Sequence, residues 1–301
     1  MPSKYPVAVT IFAMLFLAAC EIEKTEYERI LDDVYFDGFK RDYFILHNQS
    51  ISYYSPEVNK VFPDIYTYQN GKLPGNGIHS FYVNFWAPGL ISLQDDNKIE
   101  FIDVVNFISE GIQEIEKPRN IFELGTYYCM VSFGEKNTGG IAMVDLVEKK
   151  IEKTYQTGIQ AGRIFGKDNK LYVFSDGKLT NDSTIEKFSY QQNSPFSLNK
   201  LDSFSIGIRP VDFVETNIPY DAYSNAGLAI LCKGNSNIPA SIVLFDLVTE
   251  KVIRSYSFKS TDIIPENLFW FPVNEFWLPG DQANKTLASY INNKLYTHCN
   301  S

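Results

Sequence analysis

Ile141-Ala-Met-Val-Asp145-Leu-Val-Glu-Lys-Lys-Ile151 is written again further along the chain as Ile242-Val-Leu-Phe-Asp246-Leu-Val-Thr-Glu-Lys-Val252. Each copy reads as an alternating strand, a polar turn and an outer strand. Ile51-Ser-Tyr-Tyr-Ser55-Pro-Glu-Val-Asn-Lys-Val61 has the same shape, and Ile99-Glu-Phe-Ile-Asp103 opens a looser copy. Short polar side chains hydrogen-bond a reversing backbone, so Asp103, Asp145 and Asp246 are expected to build turns and not to catalyse.

A second series keeps step with the first. Gly75-Asn-Gly-Ile78, Pro118-Arg-Asn-Ile121, Ala161-Gly-Arg-Ile164, Pro210-Val-Asp-Phe213 and Pro265-Glu-Asn-Leu268 follow one another at 43, 43, 49 and 55 residues. About fifty residues suffice for a four-stranded sheet with its turns, the size of a propeller blade. Six segments start near Asp32, Gly75, Pro118, Ala161, Pro210 and Pro265. The predicted fold is therefore an all-β β-propeller; six blades fit the count, and seven slimmer ones are the alternative. The last segment is short, so closure is expected to borrow a strand near Val34-Tyr-Phe36. Near-continuous apolar runs at Lys170–Phe174, Gly227–Leu231 and Glu275–Leu278 read as inner strands covered on both faces. Asp37-Gly38, Asn70-Gly71 and Asp176-Gly177 read as tight hairpin turns. No long stretch holds helical periodicity.

Composition narrows the function. The 301 residues carry a net charge of −9, against a phosphate-backbone partner, and only three His, too few for a His-rich metal site or His-dependent catalysis. Residues 1–20, MPSKYPVAVTIFAMLFLAAC, place Lys4 before an apolar run too short to span a membrane. The run ends in Leu17-Ala18-Ala19-Cys20, which resembles a bacterial lipobox. That implies a signal peptide over 1–19, lipid on Cys20, an acidic tether to residue 30 and a propeller over 31–301. The four carboxylates within Glu21–Glu28 resemble the surface-export signals of Bacteroidota lipoproteins, so an outer-membrane, cell-surface location is expected. Cys129 and Cys232 lie in apolar runs and read as buried thiols, and no Cys-x-x-Cys spacing exists.

Taken in order, Ser50–Val61, Tyr68-Gln-Asn-Gly71, Pro118-Arg-Asn-Ile121 and the Val-Asp-Leu…Lys-Ile hairpins resemble the YncE-like β-propeller lipoproteins of Bacteroidota, including DUF5074-type cell-surface proteins. The similarity covers roughly residues 40–260; Gly75 and Ala161 stand where that family usually opens a strand with Pro. The resemblance implies a non-enzymatic binding protein. Some such propellers capture corrinoids and pass them to a TonB-dependent outer-membrane transporter. No corrinoid-contact motif is readable here, and a fold by itself does not fix a function.

Motifs for metalloproteases, serine hydrolases, P-loops and dinucleotide binding are absent. No cofactor or metal is expected. The openings should lie where one blade crosses to the next, so Asn76, Arg119, Asn120, Arg163, Asp212, Glu266 and Asn267 are the candidate funnel residues. Two Arg among Asn and Asp suit carboxylate, phosphate or amide groups, because guanidinium presents a planar fork of donors. The bland reading is that these side chains satisfy loop carbonyls and each other. Phe85-Trp86-Ala-Pro-Gly89 reads as a loop tip able to stack on a ligand. The alternatives are a propeller enzyme of lactonase or lyase type and a protein-interaction propeller without a small ligand.

Overall fold

In the computed structural model the described residues are 43–55, 59–84, 86–135, 138–176, 182–191, 197–220, 223–259, 261, 267–270, 287–291 and 294–297. Cys20, the tether, the segment near Val34–Phe36, Phe85, Glu266 and Cys299 lie outside them.

The chain is an all-β β-propeller. Its strands are β1 (Tyr43–Leu46), β2 (Ile51–Ser55), β3 (Lys60–Phe62), β4 (Ile78–Tyr82), β5 (Gly89–Leu93), β6 (Lys98–Asp103), β7 (Ile108–Glu114), β8 (Ile121–Gly125), β9 (Tyr128–Phe133), β10 (Gly140–Asp145) and β11 (Lys150–Gln156). They continue as β12 (Ala161–Lys167), β13 (Lys170–Ser175), β14 (Thr184–Gln191), β15 (Ser197–Ser205), β16 (Pro210–Tyr220), β17 (Tyr223–Cys232), β18 (Ser241–Asp246) and β19 (Lys251–Ser257), then β20 (Asn267–Trp270), β21 (Leu287–Ile291) and β22 (Lys294–Thr297). Strands β4–β7, β8–β11, β12–β15 and β16–β19 each form a four-stranded antiparallel sheet in chain order, flanked by the three-stranded β1–β3 and β20–β22.

The two short sheets are offset from one another. Ile51–Val61 matches the third-strand hairpins at Ile141 and Ile242, so β1–β3 correspond to the second, third and fourth strands of a blade. By contrast β20 follows the opening Pro265–Leu268, so β20–β22 correspond to a first, second and third strand. First strands β4, β8, β12, β16 and β20 touch in succession. Lys170–Phe174 and Gly227–Leu231, expected as inner strands, lie in the second strands β13 and β17. Their continuous apolarity comes from burial between neighbouring sheets, which a second strand experiences as fully as a first.

Side chains alternate across each strand, and the core clusters show where they go. Leu90, Ile99 and Phe101 of the second sheet pack on Cys129, Val131 and Val144 of the next. Met130, Ile141 and Met143, from the other face of that sheet, pack on Ile164, Leu171 and Val173. Tyr172 and Phe174 then pack on Leu228, Ile230 and Phe245. Among the described residues these cores lie between neighbouring sheets, while Ala229, Leu231 and Ile242 form a smaller cluster on one face of the β16–β19 sheet.

The hairpin landmarks close as expected. Asp145 Oδ1 accepts the N–H groups of Val147 and Glu148, both at 2.9 Å. Asp246 does the same for Val248 and Thr249 at 2.7 and 3.1 Å, and Asp103 for Val105 and Asn106 at 2.9 and 3.3 Å. Four residues past each Asp stands a left-handed residue, Phe107, Lys149 or Glu250, and Asn59 takes that place in the first sheet. A register shift recurs beside these turns, at Phe101/Ile102, Met143/Val144 and Leu244/Phe245.

Asn70-Gly71, expected as a hairpin, instead ends a short helix, α1 (Ile65–Asn70), with Gly71 at φ 63 donating its N–H to Thr67. Helix α1 buries Ile65 and Tyr66 in the core between the first two sheets. Two-residue hairpins are found instead at Asp168-Asn169, both left-handed, joining β12 to β13, and at Thr126-Tyr127, joining β8 to β9.

Candidate ligand-binding mouth

Antiparallel order sorts the loops into two faces. The opening motifs precede or begin the first strands, and with the second-to-third loops they form what is here called the upper face. The first-to-second loops and the Asp turns form the lower face. Trp86 lies in the β4–β5 loop and is therefore on the lower face. Trp86 and the described funnel residues therefore lie on opposite faces, one strand's length apart.

On the upper face, side chains at or just after the openings bolt one blade to the next, the third residue doing so at Asn120, Arg163 and Asp212. Ser80 Oγ accepts the N–H of Ile121 at 3.2 Å, and Asn120 Oδ1 accepts the N–H of Ile164 at 2.9 Å. Arg163 Nη1 pairs with Asp212 Oδ1 across β12 and β16, and the Arg163 guanidinium lies 5.0 Å over the Phe213 ring. Asp212, whose side chain is 4% exposed, also accepts the Phe213 N–H at 2.8 Å. Arg163 keeps 42% of its side chain in solvent. It is a planar cation, held by a carboxylate and a ring and still partly in solvent.

Arg119 is arranged differently. Its side chain is 1% exposed; Nη1 donates to the carbonyls of Gly134 at 2.6 Å and Ala161 at 3.2 Å, and Nε lies 3.4 Å from the buried Asp176 carboxylate. Burial lowers its pKa, against the opposing charges of Asp176, Glu135 and Glu116. The guanidinium expected to grip a ligand is thus withdrawn into the wall, where it staples the third blade to the fourth. Asn120 gives its Oδ1 to the Ile164 N–H, while its own backbone N–H donates to Ser132 Oγ. Asn76 sits in an exposed network, accepting from Gln49 at 2.5 Å and donating to Asp96 at 3.0 Å. These hydrogen bonds from the Asn76 side chain and backbone hold the Asp96 carboxyl below its ordinary pKa. Asn267 opens β20, and Glu266 falls outside the described residues.

Residue-type reasoning missed one device that recurs around the mouth. Ser92, at the end region of β5, donates to the Arg119 carbonyl at 2.7 Å, and Ser132 of β9 donates to the Gly162 carbonyl. Both serines are fully buried and reach the second residue of the next opening. The visible signal is a Ser near the end of three apolar second strands, at Ser92 in β5, Ser132 in β9 and Ser175 in β13.

Cys129 and Cys232 are free, buried and in different inter-sheet cores. Burial pushes the Cys232 thiol up to about 12. Among the described residues no group of three or more His, Cys, Asp or Glu side chains is placed to hold a metal ion.

No family model and no curated protein matches this sequence. Among solved structures, a functionally unknown protein from Desulfotomaculum acetoxidans superposes with a TM-score of 0.55 at 11% identity, over 82% of this chain and 71% of that one. Kuenenia stuttgartiensis hydrazine synthase gives 0.50 at 14% identity over 71% of this chain, which spans 61% of that one. A protein of unknown function from Bacteroides caccae gives 0.49 at 12% identity, over 84% of this chain and 90% of that one. At these identities the likeness concerns the fold alone.

Proposed function

We propose that this chain is a lipid-anchored, non-enzymatic binding propeller of the bacterial outer membrane that takes a small molecule at its upper face. The observation that carries the reading is Arg163, half in solvent yet held in place by Asp212 and Phe213. A fixed planar cation favours a carboxylate, phosphate or amide oxygen, since little side-chain freedom remains to be lost on binding. A corrinoid, with its rim of amides and its phosphate, belongs to that chemical class and agrees with the sequence resemblance. Delivery to a TonB-dependent transporter would follow from the same location. Six blades is the matching ring, with the offset first and last sheets as its fifth and sixth partners to the four complete ones.

Calorimetric titration of the full chain with cyanocobalamin tests this, repeated with Arg163→Lys, which keeps the charge and loses the fork. One-to-one binding weakened about tenfold or more by the substitution is expected, the scale of one charge-assisted hydrogen bond. An absence of heat from the folded protein removes the corrinoid. Equal binding by both proteins removes Arg163 from the site.

A further inference from the structure

The lower face has a chemistry of its own. Trp86 is 81% exposed, Tyr127 50%, Val147 54% and Val248 66%. All four occupy loops of the lower face: the β4–β5 loop, the β8–β9 turn, and the β10–β11 and β18–β19 turns. Two of the four are one repeated position. Val147 and Val248 each stand two residues past the turn Asp, as does the half-buried Val105. In Asp145-Leu-Val147 and Asp246-Leu-Val248 the intervening Leu is buried while the Val points out.

Trp86 is held outward by a built turn. Asn84, 5% exposed, accepts the N–H groups of Trp86 and Ala87 at 2.8 and 3.2 Å through Oδ1. Its Nδ2 donates to the Thr126 carbonyl at 2.7 Å, tying the Trp86 loop to the Tyr127 turn. The Tyr127 carbonyl in turn accepts the Leu146 N–H at 2.9 Å, extending the chain of contacts to Val147. A buried polar side chain thus fixes an indole in solvent beside two further apolar tips. Lys60, Lys150 and Lys251 begin the outer strands on this same face.

The chain also enters from below. Strand β2 runs from the upper face, where the Asn48 carbonyl accepts the Ile78 N–H, down to its turn at Ser55. Its antiparallel partner β1 therefore starts at the lower face with Tyr43. Whatever precedes Tyr43 reaches the propeller on the side that carries Trp86. A link of 22 residues from Cys20 extends at most about 75 Å, too long to orient the ring without help.

We propose that the lower face rests on the lipid bilayer, with Trp86, Tyr127, Val147 and Val248 in the interfacial layer and the lysines at headgroup phosphates. Indole and phenol rings favour that layer because one end is apolar and the other wet, and lysine stems reach past apolar surface to place the charge in water. The Arg163 mouth then faces away from the membrane. The proposal rests on the reading that Cys20 carries lipid.

The test uses the full lipidated chain in phosphatidylethanolamine–phosphatidylglycerol vesicles whose acyl chains are brominated near the headgroup. Trp86 emission is taken as the difference between the wild type and Trp86→Phe, and flotation is measured on the same samples. Cofloating protein whose Trp86 emission falls by about half or more is the expected result for an indole at the interface. Cofloating protein with unquenched Trp86 overturns the proposal while leaving the anchor intact; if that Trp86 is also shielded from aqueous acrylamide, a protein partner covers the face instead. Protein that does not float refutes the anchor, and the orientation with it.

Discussion

Replacing Arg119 with alanine separates a wall residue from a ligand residue. The substitution removes two hydrogen bonds to carbonyls, at 2.6 and 3.2 Å, and the cation 3.4 Å from Asp176. With side chains 1% and 6% exposed, solvent screens the pair very little. Breaking a buried pair by deleting one partner costs about 3–5 kcal/mol, because the other charge stays buried without it. The two carbonyls add about 1 kcal/mol each at most, and the terms overlap, so a loss of about 4 kcal/mol is expected. Urea unfolding of Arg119→Ala, Asp176→Asn and the double variant measures it. In the double variant the carboxylate is gone, so its loss should fall about 2 kcal/mol short of the sum of the singles. A loss below about 1 kcal/mol for Arg119→Ala, with ligand binding abolished, would refute the structural assignment and return Arg119 to the mouth.

The repeated turns and the lower-face ion cluster carry two more predictions. Asp145→Ala and Asp246→Ala should each cost about 1–2 kcal/mol because two N–H groups lose the Oδ1 they share, and the sum should hold in the double variant because the turns lie in different blades. Asn at either position should restore most of the loss in the same denaturant titration. Glu250 meets Lys170 at 2.8 Å and Lys187 at 2.6 Å. Burial raises its pKa, but the hydrogen bonds and charges of the two ammonium groups outweigh that and hold it below the ordinary glutamate value of about 4.3. Its contribution to stability is therefore complete above that value and lost as pH falls through the lower folded pKa. Acid-unfolding curves of Lys170→Met with Lys187→Met should lose that dependence below about pH 4.5, and an unchanged curve would count against it.

Much of the architecture was legible because it repeats. The opening motifs do begin first strands, and Asp145 and Asp246 do cap turns, since a residue serving the same backbone geometry in several blades leaves the same mark each time. What a side chain faces was harder to read. Arg119 and Arg163 stand at neighbouring positions of successive openings, yet one is sealed among carbonyls and the other half open, a difference set by Gly134 and Asp176 in the loops that follow β9 and β13. Asn70-Gly71 marks a left-handed residue correctly, but a helix end needs that conformation as much as a hairpin does. Trp86 was recognisable as a loop tip, while its placement opposite the funnel depends on strand direction, which residue identity does not record.

The placement of the main cores between sheets bears on how such a ring changes over generations. Among the described residues the main cores join neighbouring sheets, so a single blade cut out of the chain loses the surfaces its faces pack against. A duplicated blade, in contrast, meets on each side a surface of the kind it already packs against. Gain or loss of whole repeats by recombination is thereby cheaper than remodelling within one, and copies near the middle of the chain are the ones free to multiply.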